Sequence, residues 1–135
     1  MIVYLIDSSA WIEYLRDTGS KAATEVERLI DADADIATTE PIVMELLAGA
    51  TTPKALTLID ALTTGLPLIR VDPYTDYHHA AAIYRTARSQ GKTVRKLLDC
   101  VIAAVALRTD ATLVHRDIDF DVIAEFTPLD VASVR

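Results

Sequence analysis

Along this chain, short wholly apolar runs alternate with longer stretches whose apolar residues recur every three or four positions. "MIVYLI" is apolar throughout and rich in β-branched and aromatic residues, as expected of a strand buried on both faces. Ser8 or Ser9 offers an N-cap for a short helix, "AWIEYLR", which stops near Asp17-Thr18-Gly19. Ser20 caps a second helix to about Asp31, with Val26, Leu29 and Ile30 as its apolar stripe. "DIATT" reads as a brief second strand. Thr39 and Pro41 open the helix "PIVMELLA", which Gly49 closes. Thr52 and Pro53 open another helix to about Leu62, and "LPLIRV" reads as a third strand. A long amphipathic helix from about Tyr74 to Gln90 follows, closed by Gly91. "RKLLDCVIAAVALR" is the most apolar helix, "ATLVH" a fourth strand, and "FDVIAEF" a short helix or helical turn. "TPLDV" gives a fifth strand at an edge.

Strands alternating with helices predict an α/β fold, with a mostly parallel sheet of four or five strands between two helical layers. Residues 1–135 are the size of one domain, and 51% hydrophobic content is enough for a real core. The longest uninterrupted apolar run, Cys100 to Leu107, has eight residues, against the ~20 a membrane helix needs. No membrane association is expected. The N-terminus lacks the basic start of a signal peptide. A single cysteine cannot form an internal disulfide, which favours a reduced, cytoplasmic setting.

A net charge of −7 argues at first against nucleic acid. Its distribution weakens that objection. No acid lies between Asp76 and Asp99, while Arg85, Arg88, Lys92, Arg95 and Lys96 all do. The run reads either as a solvated helix face or as a phosphate-binding surface.

The acids are the more informative charges. In an open α/β sheet, ligands bind beyond the carboxyl ends of the strands. Asp7 stands at that end of the first strand, and Asp117 and Asp119 just beyond "ATLVH". If those strands are neighbours, the aspartates meet. Asp99, in "KLLDCVIAAV", and Glu45, in "IVMELLAG", lie inside apolar helices, where an unpaired carboxylate costs several kcal/mol. Each acid alone has a structural reading: Asp7 as a helix cap, Asp99 with an arginine partner, Glu45 on a wet face. Together they form a set with no nearby lysine to match it. Hard divalent cations take such oxygen ligands. Two ions ~3.5–4 Å apart would activate water and stabilise the leaving oxygen in phosphodiester hydrolysis.

"YLIDSSAWIEYL", "MELLAG", "LLDCVIAAVA" and "HRDIDF", in this order and spacing, resemble the PIN-domain ribonucleases, and among them the VapC-type toxins of toxin–antitoxin pairs. The resemblance implies a PIN-like α/β/α fold and one Mg2+ or Mn2+ site lined by Asp7, Glu45, Asp99, Asp117 and Asp119. It further implies endonucleolytic cleavage of RNA, often tRNA or rRNA, and a small antitoxin partner in a homodimer or hetero-oligomer. Ser8 and Ser9 supply the small hydroxyl residue usual beside the first aspartate. His115 stands where threonine or serine is usual, which puts any hydroxyl role there in doubt.

Ser8, Arg85, Arg88, Lys92 and Arg116 are candidate substrate-binding residues. Arg116 either pairs with a carboxylate or approaches the scissile phosphate. Asp121 reads as a helix cap or a solvated residue rather than a ligand. His115 reads as a strand-end residue, and His78-His79 lies on a helix face. Trp11 and Tyr14 are core or interface residues, and Cys100 is a small buried hydrophobe. Two other classes compete. A receiver-like signalling module also gathers acids and Mg2+ at strand ends; Asp72 imitates its phosphoacceptor, but no lysine follows the last strand. A catalytically silent interaction domain would have no use for the acid set.

Overall fold

The computed structural model describes residues 1–135. Its elements run β1 (Val3–Ile6), α1 (Ser8–Leu15), α2 (Lys21–Asp31), β2 (Asp35–Ala37), α3 (Glu40–Ala48), α4 (Pro53–Thr64), α5 (Thr75–Ser89), α6 (Leu97–Thr109), β3 (Thr112–His115), α7 (Ile118–Ala124) and β4 (Val131–Ser133). The four strands pair in the order β2-β1-β3-β4, all parallel. This is the expected α/β arrangement, with four strands and seven helices. No helix is long and apolar enough to cross a membrane.

β1 and β3 lie at the centre of the sheet, and Leu5, Ile6, Leu113 and Val114 are wholly buried. That burial on both faces is why these strands read as continuous apolar runs. α6 is buried from Asp99 to Ala106, packed against β3, α3, α5 and α7. Its small residues, Ala103, Ala104 and Ala106, permit that close packing around the helix.

Helix ends follow the local chemistry with one change. α1 is capped by Asp7, whose carboxylate accepts from the Ser9 N–H at 3.0 Å, so neither Ser8 nor Ser9 is the cap. An aspartate caps as well as a serine, and it precedes them at the strand end. Ser20 and Thr52 cap α2 and α4 as expected. Gly91 takes a φ of +70° after α5, a conformation strained for other residues.

"LPLIRV" is not a strand. It makes a single bridge, Leu68 to Thr38, with bonds from Thr38 N–H to Pro67 O and from Ile69 N–H to Thr38 O. Beyond it, side chains replace the ladder. Glu40 accepts the Val71 N–H at 2.7 Å, and Arg108 donates to the Arg70 carbonyl at 2.7 Å. Hydrophobic pattern alone does not reveal that these backbone groups have other partners. The last strand is β4, which starts where "TPLDV" ends; Thr127–Asp130 forms the approach to it.

Arg108 also grips Asp76, which is fully buried, with Nε 3.0 Å from Oδ1 and Nη2 2.9 Å from Oδ2. Asp76 Oδ2 accepts the Asp72 N–H as well. Arg108→Ala leaves that carboxylate buried without its cation and is expected to destabilise the fold by about 3 kcal/mol. Urea denaturation of the two proteins measures it; a loss under ~1 kcal/mol would show that the pair is dispensable.

Candidate metal and nuclease site

The β1–β3 pairing is what assembles the site. Ile6 stands opposite Val114, and the Asp7 N–H continues the ladder to the Val114 carbonyl at 2.8 Å. Asp7, at the end of β1, therefore lies beside the segment that leads from His115 to Asp117. The carboxyl ends of the two strands are level, as an open α/β sheet requires of a ligand site.

Both strand ends turn directly into helices, and the acids there serve as caps. Asp7 Oδ2 accepts from the Ser9 N–H and, at 2.5 Å, from the Ser9 hydroxyl. Asp117 Oδ1 accepts from the Asp119 N–H at 3.0 Å and caps α7. Ser9 Oγ also accepts the Arg116 N–H at 3.0 Å, tying the two turns together. α3 brings Glu45, whose Oε1 accepts from the Ser8 hydroxyl at 3.1 Å. α6 brings Asp99 from its first turn. All five expected acids thus arrive at this end of the sheet. Asp99, Asp117 and Asp119 form the tightest group, with one carboxylate oxygen from each within 4.8 Å of the others.

The site is not purely acidic, contrary to the expectation that no lysine matches the acids. Arg95 donates through its backbone N–H and Nε to Asp119 Oδ2, at 3.1 and 3.2 Å, and through Nη2 to Asp117 Oδ1 at 3.0 Å. The Lys96 ammonium lies 3.7 Å from Glu45 Oε2 and 4.0 Å from Asp117 Oδ2. The sequence signal was present, since both immediately precede the helix that carries Asp99. In the sequence they belong to the basic run, and a linear count cannot say which way a loop faces.

Burial and charge set the protonation of the site. Asp7 and Asp99 are 3% and 1% exposed. Burial, despite the opposing pull of Lys96, pushes the Asp99 carboxyl up to about 7, with Asp7, Asp117 and Glu45 adding to the rise. Burial raises Asp7 too, against the bonds from Ser9. Burial acts to lower the Lys96 pKa, but the surrounding carboxylates outweigh it and raise it. Asp7 Oδ1 and Asp99 Oδ2 are buried with no hydrogen-bond donor. Two donorless carboxylate oxygens in one acid-lined site suit a hard divalent cation, which takes oxygen ligands only.

The other candidates divide. Ser8 is at the site, on Glu45. The Arg116 guanidinium turns to Glu13, at 3.1 Å, rather than to the acid cluster. Lys92 is paired with Glu125. Arg85 and Arg88 are exposed on one face of α5, with Arg88 over the Tyr84 ring. His115 is wholly buried; its Nδ1 accepts the Asp117 N–H at 3.0 Å, and its Nε2 lies 3.2 Å from Asp121. Burial lowers its pKa despite that acid. Asp121 itself is engaged by Ser133 and Arg135. Trp11 is core, with Tyr14 half-buried beside it. Cys100 is buried, and that burial raises its thiol to about 11. Asp72 lies in the turn before α5, where its carboxylate accepts from the Tyr74 and Thr75 N–H groups.

Residues 4–126 match the family model of the PIN domain. The chain is 54% identical over 132 residues to VapC ribonuclease Mb1587 of Mycobacterium bovis, spanning 97% of this chain and 98% of that protein. The same values hold for ribonuclease VapC11 of Mycobacterium tuberculosis. Among solved structures, DNA-bound VapBC from Salmonella typhimurium superposes with a TM-score of 0.80 at 17% identity, covering 100% of both chains. VapBC2 from Rickettsia felis gives 0.76 at 17% identity over 98% of each chain. The chain belongs to the PIN-domain family, and within it to the VapC-type ribonucleases.

Asp99 makes the metal-free fold pH-dependent. Below about pH 4 both folded and unfolded chains carry its proton; between that and about 7 only the folded chain does. Its contribution to stability is therefore complete at low pH and is lost as pH rises through about 7. Asp99→Asn cannot ionise, and in EDTA it should exceed the wild type by ~1 kcal/mol at pH 8. The gap should close toward pH 4. Melting curves across that range check this, and a variant less stable at pH 8 would indicate a structural ion pair instead.

Proposed function

We propose that the protein is a Mg2+- or Mn2+-dependent endoribonuclease and the toxin of a toxin–antitoxin pair. The observation that carries this is the meeting of Asp7, Glu45, Asp99, Asp117 and Asp119 at one sheet end, with two buried carboxylate oxygens lacking donors. Its relatives' naming as ribonucleases supports RNA as substrate, and tRNA or rRNA follows from the resemblance. Bound divalent metal would supply the positive charge that activates water and steadies the leaving oxygen of a phosphodiester.

The chain's own residues do the positioning. Ser9 holds one oxygen of Asp7 and leaves the other free; Ser8 fixes Glu45. The turn hydrogen bond within Asp117–Asp119 sets the spacing of those two acids. His115, through the Asp117 N–H, braces the same turn from beneath. Arg85 and Arg88 offer a basic face for the RNA backbone. Lys92 and Arg116 contribute less charge there, each being paired with a glutamate.

A small antitoxin is the proposed partner. A 650 Å3 groove lined by Trp11, Tyr14, Ile30, Leu62 and Leu66 suits an apolar segment. A second groove of 300 Å3 lies between α1, α3 and α4, with Ile12, Leu15, Leu46 and Leu58. In this reading the groove that the antitoxin does not take would serve a homodimer contact. RNA as substrate and a single free cysteine support a cytoplasmic setting.

Purified protein should cleave RNA with Mg2+ or Mn2+ and stop in EDTA. Asp7→Asn and Asp99→Asn should each slow cleavage by about 10²-fold or more, through lost positioning. Gel assays at matched folding decide it; full activity in either variant would remove that residue from the site.

Arg85→Gln with Arg88→Gln should flatten the salt dependence of RNA binding. Losing two phosphate contacts would reduce the log–log slope by about 1.4 for single-stranded RNA. An unchanged slope would assign this face of α5 to solvent.

A further inference from the structure

The five acids are not equivalent in space. Asp99, Asp117 and Asp119 converge on one point, with an oxygen from each within 4.8 Å. Glu45 is not one of that group. It is held to one side, by the Ser8 hydroxyl on Oε1 and by the Lys96 ammonium 3.7 Å from Oε2. The same ammonium is 4.0 Å from Asp117 Oδ2, so it stands between Glu45 and the three-acid group.

We infer that the Lys96 ammonium is the site's built-in second cation, leaving room for a single divalent ion and presenting its own charge to the scissile phosphate. This rests on the metal-dependent nuclease reading above. Two-ion phosphodiesterases divide the work, one ion at the attacking water and one at the leaving oxygen. A lysine binds phosphate as a point charge and can supply the second charge.

Three features separate Lys96 from an ordinary surface lysine. Its Nζ lies 3.7 Å from Glu45 and 4.0 Å from Asp117, beyond hydrogen-bond reach, and Asp99 and Asp7 also act on its charge, so it is held by charge while its donors stay available to a ligand. Its side chain is half-exposed, which opens it to a substrate. Its backbone is fixed as the cap residue immediately before α6, three positions before Asp99. Arg95 does not share this freedom, since three hydrogen bonds commit it to Asp117 and Asp119. The buried, donorless Asp7 Oδ1 and Asp99 Oδ2 stand apart from both basic side chains' hydrogen bonds and mark where a divalent ion is needed. A second divalent ion on Glu45 would meet the ammonium at a few ångströms, and like charges oppose it.

Calorimetric titration with Mn2+ alone tests this on the purified chain, with melting curves to confirm folding of each variant. The wild type should bind one ion per chain, and Lys96→Arg should also bind one. Lys96→Gln should bind two, and Lys96→Gln with Glu45→Gln should return to one. At Mn2+ concentrations that fill only the first site, Lys96→Gln should lower kcat for RNA cleavage by tenfold or more, with Lys96→Arg retaining most of it and a second bound ion restoring part of it. Two ions in the wild type, or one in both wild type and Lys96→Gln, would overturn the assignment. No Mn2+ bound by the wild type would instead overturn the metal reading on which it rests.

Discussion

One backbone hydrogen bond, from the Asp7 N–H to the Val114 carbonyl, sets the geometry on which the site depends. It extends the β1–β3 ladder past the end of β1 and holds the two central strands level at their carboxyl ends. Both α1 and α7 start from those ends, so the ladder fixes where each helix begins. A one-residue slip would shift one strand end by ~3.3 Å and turn its side chains to the opposite face. Four wholly buried side chains, Leu5, Ile6, Leu113 and Val114, oppose such a slip.

Once the strand ends are level, their acids serve two purposes. Asp7 and Asp117 each use one oxygen to cap the helix that follows. A cap stabilises a helix by ~1 kcal/mol, so part of the cost of gathering acids is offset locally. The same bond restricts the side chain and leaves the second oxygen for a ligand. Positioning and helix stability therefore come from one interaction. The arrangement also explains the serines: Ser9 joins the Asp7 cap to the Arg116 backbone, and Ser8 reaches across to α3 and Glu45.

The remaining repulsion is met by charges from the loop before α6. Arg95 lies across Asp117 and Asp119, while Lys96 faces Glu45 and Asp117. Burial still drives Asp99 far above its ordinary range, so these cations do not fully compensate the cluster. A site that keeps acids close and dry gives up fold stability for chemistry. Asp76 and Arg108 show the contrasting solution, where a buried acid has its arginine and several hydrogen bonds and is structural.

The sequence by itself determined the alternation of elements, the four strands that formed, and the acids worth attention. Those signals are local: apolar runs mark buried strands, helix periodicity marks an apolar face, and an acid inside an apolar helix is conspicuous wherever that helix packs. It misread "LPLIRV", because its apolar character is real while its backbone groups are taken by Glu40 and Arg108, from α3 and α6. It also misplaced Arg95 and Lys96, which look like part of a basic run in one dimension. Only the tertiary structure decided which charges meet. Which partner a side chain finds depends on strand order, register and the direction a loop takes, and Coulomb energy falls with distance through space, not along the chain. The β2-β1-β3-β4 order put Asp7 beside Asp117, and the turn into α6 put a lysine among acids that the sequence had left without one.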